Sequence, residues 1–122
     1  MNKDFVPYNE SLELKELGFD EPCLAVHYPN KFYFYSKNRG IKNSNKISQS
    51  WICTAPTFSQ AFRWFREKYR TYSTIIYRVS MEDDNEYWDW LIKGEEVVYR
   101  HFNTYEEAEL ACLQKLIQIV KK

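Results

Sequence analysis

Thr57 to Arg78 reads "TFSQAFRWFREKYRTYSTIIYR", and this stretch decides the fold because it changes hydrophobic period midway. Pro56 precedes Thr57, and Thr-x-x-Gln is a capping box in which the Thr57 hydroxyl and the Gln60 amide satisfy free backbone N–H groups. A helix over 57–70 follows. At about 100° per residue, Phe58, Ala61, Phe62, Phe65 and Tyr69 cluster on one face, with Trp64 off that stripe. Arg63, Arg66 and Arg70 line the opposite face at i, i+3 and i+7. The aromatics are therefore expected to pack, and the arginine row is the candidate binding surface. From Tyr72 onward the residues turn β-branched and aromatic, so the helix hands over to a strand.

Working outward, "YSTIIYRVS", "EYWDWLI" and "EEVVYRH" have strand composition, separated by the acidic turn "MEDDN" and by Lys93-Gly94. Three antiparallel strands are expected, with Trp88, Trp90 and Ile92 on the core face and Tyr87, Asp89 and Leu91 on the other. Thr104 and Glu107 form a second capping box, opening a helix over 104–120 whose apolar arc spans more than half the wheel. One flank of that arc, Leu110, Leu113, Ile117 and Val120, is the candidate interface for a homodimer. The other flank is Ala108, Cys112, Leu116 and Ile119.

Toward the N-terminus, Pro7 near a first turn and Gly18 as a left-handed stop frame a short helix over 7–17 with Leu14 and Leu17 inward. "CLAVHYPNKFYFYSK" reads as a hairpin turning at Pro29-Asn30, and "WICT" as one more short strand. Residues 38–50, rich in Asn, Ser and Lys, read as an exposed mobile loop. The whole is expected to be one α+β domain over 1–122, a mainly antiparallel sheet with helices near 7–17, 57–70 and 104–120 packed on it; 122 residues leave no room for a second core. Phe62, Phe65, Trp88, Leu113 and Leu116 are the expected core.

The chain carries 17 basic and 17 acidic residues, but 31–78 holds ten bases against one acid. Such asymmetry marks either a face for an acidic partner or a segment neutralised by its acidic flanks. Non-specific nucleic-acid binding is the alternative reading, with Lys31, Lys37, Arg39, Lys42 and Lys46 supporting the arginine row. The order helix, three strands, helix is that of a double-stranded-RNA-binding domain, yet Tyr105, Glu106, Glu107 and Glu109 stand where such a domain places phosphate-gripping bases.

Catalytic classes find little support. The possible nucleophiles are Cys23, Cys53 and Cys112 with His27 or His101 as bases, in no family signature. Cys23, His27, Cys53 and His101 lack zinc-ligand spacing, and Glu82, Asp83, Asp84 and Glu86 lack the glycine of a calcium loop, so neither metal nor cofactor is expected. With only Gly18, Gly40 and Gly94, no phosphate-cradling loop exists. Three cysteines without a C-x-x-C pair point to reduced thiols. "MNKDFVPYNE" has no apolar signal core, and no run nears the roughly 18 apolar residues of a membrane span, so a cytoplasmic setting is expected.

The segments "FVPYNESLELKELGFDEPC" (5–23), "CTAPTFSQAFRWFREKY" (53–69) and "TYEEAELACLQKLI" (104–117) resemble, in that order, a family of small uncharacterised proteins encoded in gut-bacterial genomes and prophages. The resemblance implies a bacterial or phage cytosolic setting and a compact α+β fold, with no known catalytic motif. The expected role is that of a small accessory or regulatory protein acting through an unknown protein partner.

Overall fold

The computed structural model describes residues 2–35, 43, 45 and 49–121. Elements follow in the order α1 (Tyr8–Glu16), β1 (Ala25–Tyr28), β2 (Lys31–Phe34), β3 (Cys53–Ala55), α2 (Phe58–Tyr69), β4 (Ser73–Val79), β5 (Glu86–Ile92) and α3 (Tyr105–Val120). The fold is α+β, with antiparallel strands throughout. The strands divide between two small sheets, and the chain forms two compact units, residues 1–61 and 62–122, with α2 running through the boundary. Of the expected loop at 38–50, only residues 43, 45, 49 and 50 are described; the rest, with Lys37, Arg39, Lys42 and Lys46, lies outside the described residues.

In the first unit Pro7 caps α1 with an extended backbone, since its missing N–H costs nothing at a helix start. The helix stops at Gly18, whose φ of 98° only glycine adopts cheaply. The Phe19 amide returns to the Leu14 carbonyl at 2.9 Å and the Gly18 amide to Lys15 at 3.0 Å, a Schellman closure. Ser11 and Leu14 form its buried face, while Leu17, expected inward, is only half-buried. The Ser11 hydroxyl is accommodated by donating to the Val6 carbonyl. The sheet runs β2-β1-β3, and Tyr28 opposite Lys31 makes Pro29-Asn30 a two-residue turn. Helix α1 packs on β3 and β1. The Lys15 ammonium donates to the Gln49 and Ile52 carbonyls, fastening the chain that leads into β3.

Thr57 does cap α2, its hydroxyl accepting from the Gln60 amide at 3.1 Å. The Gln60 side chain does not close the box. It donates instead to the Pro22 carbonyl and to Glu21, tying the helix start to the chain ahead of β1. Helix α2 is rotated relative to the expected stripe: Trp64 is buried, as are Phe58, Ala61 and Phe65, and Phe62 is half-buried. Trp64 and Phe65 both follow Ala61 by one turn, and their rings meet edge to face with centres 5.1 Å apart.

In the second unit β4 and β5 make a two-stranded sheet with Tyr77 opposite Trp88. Helix α3 packs on both strands, and its capping box is complete, with Thr104 and Glu107 satisfying each other's backbone amides. The third strand expected at 95–101 is absent from the described structure: that stretch is irregular, and the one backbone bridge to β5 among the described residues, Trp88 with Phe102, falls just past it. Trp90 and Ile92 face the core as expected, and Trp88 is half-buried.

Candidate interaction surface

The side chain that organises the second unit is Asp89, fully buried in the middle of β5 on the face expected to meet water. Its Oδ1 accepts from the Trp90 amide at 2.7 Å and from Arg100 Nη1 at 3.2 Å. Its Oδ2 accepts from the Arg100 amide at 3.1 Å and from Arg78 Nε at 3.3 Å. Burial alone would raise the carboxyl pKa, but these two amides and the Arg100 guanidinium outweigh it and hold it below the ordinary carboxylate value. Both guanidinium groups also lie on aromatic faces, Arg100 at 3.6 Å from the Trp90 ring centre and Arg78 at 4.6 Å from that of Tyr99. Arg100 Nη1 adds contacts to the Trp90 and Val98 carbonyls. The irregular stretch therefore holds its place through side chains where a ladder is lacking.

Beside this cluster lies an open concavity of about 690 Å³ lined by Tyr77, Arg78, Val79, Ser80, Met81, Glu82, Tyr87, Tyr99 and His101. Tyr87 and His101 stack with centres 3.9 Å apart, and the Tyr77 hydroxyl donates to Glu86. Met81 is 97% exposed and Tyr99 66%. The groove thus combines flexible thioether, rigid aromatic faces and an immobilised arginine, with Glu82 in its lining.

A second concavity of about 580 Å³ in the first unit is lined by Tyr8, His27, the Pro29-Asn30 turn and Phe32. His27 there is buried, with Nε2 donating to the Val6 carbonyl at 2.8 Å; desolvation lowers its pKa, only partly opposed by that bond. Its ring is packed by Tyr8 and Phe32.

Arg63, Arg66 and Arg70 are all exposed. Arg63 and Arg66 ride on α2, but Arg70 lies past the helix end with φ of 53°, so the expected row of three breaks after two. On α3, Leu113 and Ile117 are buried and Leu110 and Val120 half-buried, while Ala108, Cys112 and Leu116 on the other flank are also buried. The centres of both flanks are already covered within one chain, which leaves little of α3 for a second copy. Burial pushes the thiols up, Cys23 to about 11 and Cys53 and Cys112 to about 12, so all three stay protonated at neutral pH. Among the described residues no three His, Cys, Asp or Glu side chains are placed to hold a metal.

Asp89 and the groove were missed because strict alternation assigns Asp89 to the wet face. The available signal was an acid between two tryptophans with Arg78 diagonal to it across the hairpin, a spacing at which long side chains meet. No family model, curated protein or solved structure matches the chain.

Proposed function

We propose that this is a non-catalytic accessory or regulatory protein that acts by binding another protein through the groove of its second unit. The observation that carries this reading is the set of exposed Met81 and Tyr99 beside Arg78, whose guanidinium is held by Asp89. Interfaces concentrate their energy in aromatic residues, Met and Arg, and side chains fixed before binding lose less entropy on contact. Thiols kept protonated and a His27 ring bonded to the main chain favour binding over covalent chemistry. Among the described residues no helix is long and apolar enough to cross a membrane, and the setting we assign is the bacterial or phage cytoplasm that the three resembling segments imply.

Crosslinking and affinity capture from the native host tests it, run in parallel with Tyr99→Ala and Met81→Glu. A partner retained by the parent and lost by both variants, each still melting as the parent does, supports the groove; equal capture by all three rejects it. Nucleic-acid binding stands as the second reading because Arg63, Arg66 and Arg70 are all exposed.

A further inference from the structure

Strand β4 is paired along one edge by β5, and among the described residues no strand occupies its other edge. The backbone groups aimed at that open edge follow from β5. The Trp88 amide donates to the Phe102 carbonyl at 2.8 Å, and its carbonyl accepts from the Phe102 amide at 3.0 Å. Trp88 therefore spends both groups away from β4, and Trp90 does likewise, on Asp89 Oδ1 and Arg100 Nη1. Antiparallel pairs alternate between bonded and non-bonded, so Ile76–Asp89 and Arg78–Tyr87 carry the ladder. Ser73, Ile75, Tyr77 and Val79 consequently point their N–H and C=O groups out of the sheet.

We propose that this edge docks a second copy of the chain, the two β4 strands pairing antiparallel about a twofold axis at Ile76 to make one four-stranded sheet. Outward groups sit at odd positions, so odd must pair with odd. Centring on Ile76 matches Ser73 with Val79 of the partner subunit and Ile75 with Tyr77 of the partner subunit, using the strand from end to end; a register centred on Ile75 or Tyr77 leaves one end unpaired. This register also places the half-exposed Tyr77 ring across Ile75 of the partner subunit and Ile76 against its own twin.

Charge selects a second copy over another occupant. Arg70 stands three residues before Ser73 and Glu82 three after Val79, so antiparallel pairing runs Arg70 of each copy beside the Glu82–Asp84 turn of the other, twice over. Within the strand itself the usual residues that block pairing are lacking. "STIIYRV" has no proline, and its one charge, Arg78, is turned onto Asp89. The proposal goes beyond the partner groove because it rests on the outward backbone groups of β4; Tyr77, Val79 and Glu82 also line that groove, whereas Tyr99, in the stretch on the far side of β5, tests the groove alone.

Sedimentation equilibrium of the full chain at micromolar concentration is expected to give a dimer mass. Ile75→Pro removes an outward amide while sparing the β4–β5 ladder, and is expected to give a folded monomer. Should proline unfold the strand, Tyr77→Lys decides, by setting a charge against the apolar Ile75 of the partner subunit. Arg70→Glu is expected to weaken the dimer roughly tenfold, and Arg70→Glu with Glu82→Arg to restore it. A monomer mass for the parent overturns the proposal. So does a dimer that survives Tyr77→Lys, or one lost only when Leu110→Glu and Val120→Glu are introduced on α3.

Discussion

Arg100 holds Asp89 with its main chain and its side chain at once, the amide on Oδ2 at 3.1 Å and Nη1 on Oδ1 at 3.2 Å. One carboxylate thus stands in for the ladder that the 95–101 stretch does not form, and Glu95 adds an ion pair to Lys115 of α3 at 3.7 Å.

Asp89→Ala should destabilise the second unit by about 2–3 kcal/mol, below the full cost of stripping a partner from a buried pair, because the Arg78 and Arg100 side chains are 22% and 24% exposed and water rehydrates them. Chemical denaturation followed by circular dichroism measures this. The folded carboxyl titrates below its unfolded value of about 3.9, so its contribution is complete above that pH and is lost as pH falls through the lower folded value. Asp89→Asn should accordingly flatten acid unfolding below about pH 4 and leave the slope near neutrality unchanged.

His27 governs a different window. Its folded pKa lies below the unfolded value of about 6.5, so the unfolded chain binds the proton more readily, and stability is full above about 6.5 and declines as pH falls toward the folded value. Urea midpoints at about pH 7.5 and about pH 5 should differ in the parent, and His27→Gln should shrink that difference. An unchanged difference would place the titrating group elsewhere.

Phe65 is fully buried and Phe62 half-buried, though both lie on the stripe read from helical spacing. Phe65→Ala should cost about 3–5 kcal/mol and Phe62→Ala roughly half that. Equal losses in thermal melts would contradict the rotation of α2 toward Trp64.

Changing Arg63, Arg66 and Arg70 together to Gln should leave stability within about 1 kcal/mol, as exposed charges contribute little. Under the nucleic-acid reading the parent shifts duplex or single strands at low salt, loses that shift steeply between roughly 50 and 200 mM, and the triple variant lacks it. Absence of any shift removes that reading.

Local signals were the legible ones. Gly18, the Pro29-Asn30 turn and Thr104 with Glu107 each impose a backbone geometry within four residues, and the structure places α1, the first hairpin and the start of α3 where these residues direct. Long-range choices were not legible. "EEVVYRH" has the composition of a strand, yet its partners are an aspartate and an indole, and propensity yields to tertiary contact. The Gln60 amide leaves its own helix cap for Glu21 and Pro22, which no local pattern encodes. Helical spacing gave the face of α2 to within one residue and misplaced Trp64, because an arc wider than one stripe is set by what the indole can fill.

The sealed thiols turn each unit into its own clock. Cys23 and Cys53 lie within residues 1–61 and Cys112 within 62–122, all buried and protonated at neutral pH. A thiol-directed alkylating reagent can reach them only during an opening, so the labelling rate at each position, read by peptide mass, reports how often that unit breathes. If the first unit opens without the second, Cys23 and Cys53 acquire label together while Cys112 stays unmodified, and the cooperativity of the whole chain becomes a ratio of two rates.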